Sequence, residues 1–214
     1  MDKIFWENYY SGNKFVDFPS PFAEYCVNEG LVGNAVIVDI GCGNGRDSYY
    51  FVNNSAKEVV GIDQSEVVIV KNIENIGNLK KPIQNKIKFY SGNFVKPESY
   101  HGLNATLYYS RFTFHAITHN EQLIFLSMLS EIMNSGDISA IEARTINDKT
   151  FQKGVKTNKN TNFTDHHRCF SNPIEIIQTI IDKNFELLYF EESDKFAIFN
   201  DEKPSVMRII FKKK

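Results

Sequence analysis

The stretch Val36-Ile37-Val38-Asp39-Ile40-Gly41-Cys42-Gly43-Asn44-Gly45-Arg46 decides the fold of this chain. It begins as an apolar, β-branched run of the length of a strand. Glycines at alternate positions then interrupt the run, and a helix-like segment over 47–52 follows. A strand, a glycine turn and a helix begin a doubly wound α/β unit. Such a turn lets a ligand approach the main chain, and the start of the helix presents free N–H groups.

The spacing of the glycines separates two kinds of cofactor. A dinucleotide fingerprint reads G-x-G-x-x-G, whereas this loop reads G-x-G-x-G, with Asp39 two residues before the first glycine. This form resembles the S-adenosylmethionine (SAM) loop of class I methyltransferases. SAM carries an ammonium and a sulfonium and has no pyrophosphate, so an acid at the strand end suits it. The alternative is a glycine-rich turn without a ligand.

A second acid supports the same cofactor. The predicted strand 57–62 ends at Asp63, where an acid is expected to bind ribose hydroxyls; the alternative is that Asp63 only caps the predicted helix 66–76. The loop after the predicted strand 86–90 is expected to place Asn93 at the amino group and Phe94 at the ring of adenine. The predicted cofactor-binding residues are Asp39, Gly41, Cys42, Gly43, Gly45, Arg46, Asp63, Gln64, Asn93, Phe94 and Ser110.

Composition narrows the possible partners. With 214 residues the chain is long enough for one domain with a full core, and a net charge of −2 gives no support for a nucleic-acid partner. The three cysteines are far apart, which indicates reduced thiols and no metal site. We find neither a secretory signal nor an apolar run long enough to span a membrane. We therefore expect a cytoplasmic protein; the oligomeric state stays open.

The order of predicted elements gives the fold class. Five strands alternate with helices, and the last two strands, 185–190 and 206–211, follow each other without a helix between them. Because short links permit only antiparallel neighbours, we expect a Rossmann-like α/β fold with a seven-stranded, mostly parallel sheet whose last strand is antiparallel. We predict one methyltransferase domain over 1–214, with N-terminal lid helices in 1–33 and a substrate-side insertion at 144–170. Disorder is the alternative for the polar part of that insertion, 153–162.

A narrower resemblance rests on YSRFTFHAIT at 109–118, EARTINDKTFQKG at 142–154 and TDHHRCF at 164–170. These stretches are similar to bacterial methyltransferases found with capsule and other surface-polysaccharide genes, including those of the methyl phosphoramidate pathway of Campylobacter-type capsules. The family pattern has a tyrosine where this chain has His167 and an arginine where it has Cys169. In related methyltransferases an N-terminal segment covers the SAM site, which makes Tyr9 and Tyr10 candidates, and Asp17 and Phe18 weaker ones.

The arginines point to the methyl acceptor. Only 5 of the 24 basic residues are arginines, and four of them follow predicted strand ends or lie in the insertion. Arg46 is expected to meet the methionine carboxylate of SAM, and Arg208, inside a strand, to be structural. The others suit an anion clamp, with surface salt bridges as the alternative. The predicted catalytic residues are His115, Arg111 and His166, with a buried structural role as the alternative for His115. The predicted substrate-binding residues are Tyr9, Tyr10, Arg111, Arg144, His166, His167 and Arg168.

The residues and the resemblance together predict a SAM-dependent O-methyltransferase that releases S-adenosylhomocysteine (SAH). Its acceptor is expected to be a small anionic precursor of phosphoramidate or phosphoryl type, possibly nucleotide-linked, in capsular polysaccharide decoration. A sugar-hydroxyl methyltransferase of the same pathways is the alternative, and it would need a base such as His115 or His166. A SAM-binding regulatory protein without turnover is an alternative of another class. The predicted strand 105–109 is not followed by the Asp/Asn-Pro-Pro-Tyr motif of enzymes that methylate amino groups of DNA bases.

Overall fold

The computed structural model describes residues 3–12, 18–163, 166–198 and 201–214. Asp17 and the first two residues of the motif at 164–170 therefore lie outside the described residues. Within the described residues the chain forms ten strands and seven helices. The strands are β1 (Val36–Ile40), β2 (Glu58–Asp63), β3 (Ile87–Ser91), β4 (Leu107–Arg111), β5 (Ile138–Arg144), β6 (Val155–Asn158), β7 (Thr161–Phe163), β8 (His167–Cys169), β9 (Phe185–Ser193) and β10 (Val206–Lys213).

The helices begin at the capping residues that their sequences provide. Ser20, Ser65 and Asn172 accept main-chain N–H groups at the starts of three helices, and Thr118 forms a reciprocal capping box with Glu121. The helices are α1 (Lys3–Gly12), α2 (Pro21–Asn28), α3 (Arg46–Asn53), α4 (Glu66–Ile76), α5 (Lys81–Gln84), α6 (His119–Ile132) and α7 (Pro173–Asp182).

Seven strands form one sheet in the order β3-β2-β1-β4-β5-β10-β9. The pairs β1–β2, β1–β4 and β2–β3 are parallel, whereas β10 runs antiparallel to both β5 and β9. The predicted fold class, a mostly parallel seven-stranded sheet with an antiparallel last strand, is confirmed. The physical reason for the reversal is the link between β9 and β10, because its described residues, 194–198 and 201–205, form no crossover helix.

The chain clusters into two compact units, residues 3–110 and 111–214. The single-domain organisation stays a prediction. In the N-terminal unit, β1 carries the central apolar side chains, with Ile37, Val38 and Ile40 fully buried. Asp47 at the start of α3 accepts hydrogen bonds from Ser20 and from the Tyr109 hydroxyl, at 2.7 and 2.8 Å. This buried polar contact ties the starts of α2 and α3 to β4.

In the C-terminal unit, the described residues of the insertion form regular structure. Strands β6, β7 and β8 form a separate antiparallel sheet, which contradicts the alternative of disorder over 153–162. Asn162 is buried and donates from Nδ2 to the carbonyl oxygens of Phe151 and Lys153, and the Phe151 ring contacts Phe170 at 5.2 Å. This sheet is hard to predict from the sequence, which is rich in lysine and asparagine, because most side chains of the sheet face water.

Among the described residues no helix is long and apolar enough to cross a membrane. The same residues contain no group of three or more metal-ligating side chains from histidine, cysteine, aspartate and glutamate.

Candidate active site

The loop between β1 and α3 has the backbone shape that its glycines predict. Gly43 has a φ of 52° and Gly45 a φ of 74°, values that side chains disfavour. A Cβ at Gly43 would lie 2.5 Å from the hydroxyl oxygen of Tyr10. The backbone conformation therefore favours glycine at 43, and a Cβ there would have to displace the Tyr10 hydroxyl, which lies directly against the loop.

Asp39 is a buried acid of β1 in the same unit. Its carboxylate accepts a hydrogen bond from Ser48 Oγ at 2.5 Å. Burial raises the pKa of Asp39 to about 7, and the negative charges of Asp47 and Asp63 add to the rise. Because the charged form is disfavoured by both burial and like charges, this position is suited to a ligand that brings positive charge.

Asp63 lies at the end of β2, where the sequence predicts a ribose ligand. Its carboxylate accepts the main-chain N–H groups of Gly43 at 3.0 Å and Ser65 at 2.9 Å. Burial raises the pKa of Asp63, and these hydrogen bonds oppose the rise. The side chain of Asp63 thus joins the glycine loop to the start of α4, and Ser65, not Asp63, is the N-cap of α4.

Two predicted cofactor residues carry buried polar atoms that lack hydrogen bonds. Gln64 Nε2 and Ser110 Oγ have no partner within the described residues. Buried polar atoms are nearly always paired in folded proteins, so these two indicate a missing ligand or water. Cys42 is also buried, which raises the pKa of its thiol well above the usual value.

The remaining cofactor candidates lie nearby or in the next loop. Arg46 begins α3, with its Nε 3.9 Å from an oxygen of Asp47. Asn93 is exposed, and its Oδ1 accepts the N–H of Val95 at 3.1 Å. Phe94 is only 3% exposed, so the predicted contact of its ring with adenine would require this loop to open. A cleft of about 350 Å³ between α3 and α4 is lined by Arg46 and helix side chains, without Asp39 or Asp63.

Helix α1 docks on the start of α4 through Glu7, a residue that the sequence analysis did not single out. The carboxylate of Glu7 accepts Ser65 Oγ at 3.0 Å and the N–H of Glu66 at 3.0 Å. These are donors of a helix start, which attract negative charge. Tyr10 is half-buried, and burial raises the pKa of its hydroxyl well above the usual value, whereas Tyr9 is exposed. The two predicted substrate residues therefore have different surroundings, and Tyr10 lies at the cofactor loop.

In the C-terminal unit, a buried carboxylate joins two arginines. Glu142 of β5 is fully buried and accepts Arg111 Nε at 2.9 Å and Arg208 Nε at 2.8 Å. The pairing of β10 with β5 sets Arg208 directly opposite Glu142. An acid inside an otherwise apolar strand was the sequence signal for this ion pair, and the sequence analysis did not use it. Arg208 is buried here, as its predicted structural role requires.

Arg144 ends β5 and also has carboxylate partners. Its guanidinium lies 3.4 Å from Asp148 and 3.0 Å from Glu202. The side chain of Arg144 is 15% exposed and that of Glu202 63%. The contact with Glu202 is therefore an exposed ion pair, which contributes little to stability.

The structure brings the predicted acceptor-side residues of this unit together around His115. Burial lowers the pKa of His115 well below its usual value, and the positive charges that lower it further are Arg144, Arg168, His166 and Arg111. His115 is thus a neutral imidazole at neutral pH, in a strongly positive environment.

The two histidines of the insertion differ in exposure, and a cleft lies beside one of them. His166 is buried, whereas His167 is exposed and its ring contacts that of Phe163 at 5.0 Å. A cleft of about 450 Å³ is lined by His115, His167 and a mixture of polar and apolar side chains of β6–β8 and of the segment before α6. His115 lines this cleft, whereas Arg111, Arg144 and Arg168 are not among its lining residues.

Comparison with known proteins identifies the family. The family model described as "Methyltransferase domain" matches residues 31–190. The chain belongs to this methyltransferase family. The predicted enzyme class, a SAM-dependent methyltransferase, is therefore confirmed. A search of curated proteins gives no match.

Solved structures with the same fold belong to proteins named for different reactions. The CcbJ methyltransferase from Streptomyces caelestis has a TM-score of 0.67 at 15% identity, covering 97% of this chain and 95% of its own. The glycopeptide N-methyltransferase MtfA, complexed with SAM, has a TM-score of 0.66 at 8% identity, covering 92% and 96%. The [4+2]-cyclase SpnF has a TM-score of 0.69 at 11% identity, covering 99% and 93%. At these identities the likeness shows the fold alone.

Proposed function

We propose that this methyltransferase transfers a methyl group to an oxygen of a small anionic acceptor of phosphoryl or phosphoramidate type. The observation that carries the proposal is the closeness of two arginines to one ring: the guanidinium carbons of Arg111 and Arg144 lie 4.3 and 6.0 Å from the centroid of the Phe112 ring, which His115 also contacts. An anionic oxygen needs no base, but it needs positive groups that hold it and offset its loss of hydration. The resemblance to capsule methyltransferases supports a precursor of capsular polysaccharide decoration, possibly nucleotide-linked, in the cytoplasm.

The residues of the N-terminal unit fit SAM as the methyl donor. Burial raises the pKa values of Asp39 and Asp63, and a ligand with a sulfonium and an ammonium would favour their charged forms. Gln64 Nε2 and Ser110 Oγ are buried atoms that need partners. We assign Asp63 to the ribose hydroxyls and Arg46 to the methionine carboxylate, with Tyr10 covering the loop.

Bound SAM would supply a methyl group on a sulfonium. The acceptor oxygen would form a bond to this methyl carbon as the carbon–sulfur bond breaks in line, and sulfur would keep the electron pair of that bond, giving SAH. The role of this chain is to bind and orient the acceptor and to exclude water. Arg111, Arg144 and Arg168 hold the anionic group. His115 stays neutral and accepts no proton in the step.

A sugar hydroxyl is the alternative acceptor, for which the threonine and asparagine side chains of the cleft beside His115 are suitable partners. That reaction needs a base, and an imidazole whose pKa lies well below its usual value is a weak one. The two acceptors differ in pH dependence: a base-dependent reaction loses activity as the base protonates, whereas the phosphoryl reaction keeps its rate until the acceptor itself titrates.

A SAM-binding regulatory protein without turnover is the alternative of another class. The match of the methyltransferase family model to residues 31–190 favours an enzyme over this alternative. Calorimetry with SAM combined with SAH release against candidate acceptors separates the cases. Binding without SAH release from any acceptor would support the regulatory role.

The anion clamp is tested by a matched pair of variants at one ion pair. Arg144→Ala removes the guanidinium, whereas Glu202→Gln removes only its exposed partner. We expect Arg144→Ala to lower kcat/KM for the acceptor by about 10- to 100-fold, the range of a lost charged hydrogen bond, and Glu202→Gln to change it by less than about threefold. Equal effects of the two variants would show that Arg144 serves only a surface salt bridge.

A further inference from the structure

Phe112 has a backbone conformation that aromatic residues rarely adopt. Its φ is 56°, in the left-handed region where a bulky side chain is strained. Strain of this kind persists only where the surrounding structure enforces it, and it clusters at functional sites. Phe112 directly follows Arg111 at the end of β4, so the strain lies beside the proposed anion clamp.

The left-handed turn has a specific geometric result. In an extended strand, neighbouring side chains point to opposite faces, and the Phe112 ring would lie away from Arg111. Here the guanidinium carbon of Arg111 lies 4.3 Å from the centroid of the Phe112 ring. The guanidinium carbon of Arg144 lies 6.0 Å from the same centroid, and the His115 ring contacts it at 5.6 Å. One ring therefore adjoins two of the proposed clamp cations.

Glu142 holds both the ring and the first cation in place. Its main-chain oxygen accepts the N–H of Phe112 at 2.8 Å, while its carboxylate accepts Arg111 Nε at 2.9 Å. A single residue of β5 thus fixes the turn and the guanidinium together. Since the bond to Glu142 uses Nε, the edge of Arg111 that carries the two Nη groups is the one suited to a ligand.

We propose that Phe112 is a positioning residue for the acceptor, holding Arg111 and Arg144 together before an oxyanion binds. Two guanidinium groups repel each other, and the negative face of an aromatic ring attracts both. Cations ordered in advance lower the entropy cost of binding. Two guanidinium groups that share one ligand favour a group with at least two anionic oxygens on one centre, as in a phosphoryl group. This inference rests on the proposed function.

Three variants separate the ring from the strain. Phe112→Gly adopts the left-handed conformation without strain and lacks the ring, Phe112→Ala lacks the ring but keeps the strain, and Phe112→Tyr keeps both. We expect the Gly variant to unfold at a higher temperature than the Ala variant. We expect both to bind inorganic phosphate about 3- to 10-fold more weakly than wild type, the range of a lost cation–π contact. Phe112→Tyr should retain wild-type affinity.

The measurement is an NMR titration of the arginine Nε–Hε signals with inorganic phosphate, with SAM affinity from calorimetry as the control for folding. Wild-type SAM affinity in all three variants, with weaker phosphate binding only in Gly and Ala, supports the role of Phe112. If Gly and Ala bind phosphate as wild type does while Arg144→Ala does not, Phe112 has no positioning role but the anion clamp stands. If wild type shows no saturable phosphate binding, both the clamp and the role of Phe112 are wrong.

Discussion

Replacing Asp39 by asparagine should remove a pH dependence of SAM binding that the wild type shows. Asp39 is buried beside Asp47 and Asp63, and burial raises its pKa to about 7. If the carboxylate meets a positive charge of SAM, only the ionised fraction binds with full affinity. That fraction is about one tenth at pH 6 and about nine tenths at pH 8, so affinity should rise about tenfold between them.

The same substitution should have the opposite effect on the ligand-free protein. A carboxyl whose folded pKa lies above its unfolded value of 3.8 stabilises the fold at low pH and loses that contribution as pH rises through about 7. The amide that Asp39→Asn introduces can still accept the hydrogen bond from Ser48, and it never ionises. Asp39→Asn should therefore unfold at a higher temperature than wild type at pH 8, although it binds SAM more weakly there.

Calorimetric titration with SAM at pH 6, 7 and 8, at one ionic strength, measures the affinity. Glu58→Gln in the same unit is the control, because Glu58 forms an exposed pair with Lys88 and should behave as wild type. The titration of SAM itself is common to all three proteins and cancels in the comparison. A wild-type affinity that changes with pH no more than that of Asp39→Asn would refute the assignment of Asp39 to the cationic ligand.

Three further substitutions test the packing around the site. Glu142→Gln leaves Arg111 and Arg208 without their shared carboxylate and should lower the free energy of unfolding, measured with denaturant, by about 3–5 kcal/mol. Glu186→Gln, at the exposed pair with Lys212, should lower it by less than about 1 kcal/mol. Equal losses of stability in the two variants would contradict a buried charge triad. Gly43→Ala places a Cβ 2.5 Å from the Tyr10 hydroxyl and should weaken SAM binding measured by calorimetry. Adding Tyr10→Phe to this variant should restore part of the lost affinity. Gly33→Ala, where the added Cβ meets open space, should leave SAM affinity unchanged. His115→Gln should reduce the loss of melting temperature between pH 7 and pH 5, because the lowered pKa of His115 makes the unfolded chain take up a proton first below about 6.5; an unchanged acid sensitivity would show that His115 is not held neutral.

Much of the fold can be predicted from the spacing of apolar residues and from the residues that begin and end helices. Helix α4 has the predicted bounds of 66–76, because Ser65 supplies the cap and Gly77 ends an apolar helical pattern. The antiparallel β10 follows from a link, 194–205, whose described residues form no helix. The small sheet β6–β8 was not predicted, since its strands are three or four residues long and mostly exposed, which leaves no alternation to detect.

The candidate site, like the fold, is only partly predictable from the sequence. The sequence places Asp39 and Asp63 at strand ends, because topology fixes where parallel strands end. It does not show that Glu142 pairs with two arginines, since that depends on the register between β5 and β10. Nor does it show the turn at Phe112, because a left-handed phenylalanine is imposed by its neighbours and opposes its own preference.

The central claim is methyl transfer from SAM to an anionic oxygen, and SAH release in an acceptor panel tests it most directly. The panel should pair nucleotide-linked phosphoramidates and phosphate monoesters with nucleotide sugars and with neutral sugars that offer only hydroxyl groups. The account predicts SAH release that depends on the phosphoramidate or phosphoryl acceptor and is lost in Arg144→Ala but kept in Glu202→Gln. SAH release that needs only a sugar hydroxyl, with Arg144→Ala as active as wild type, would contradict it.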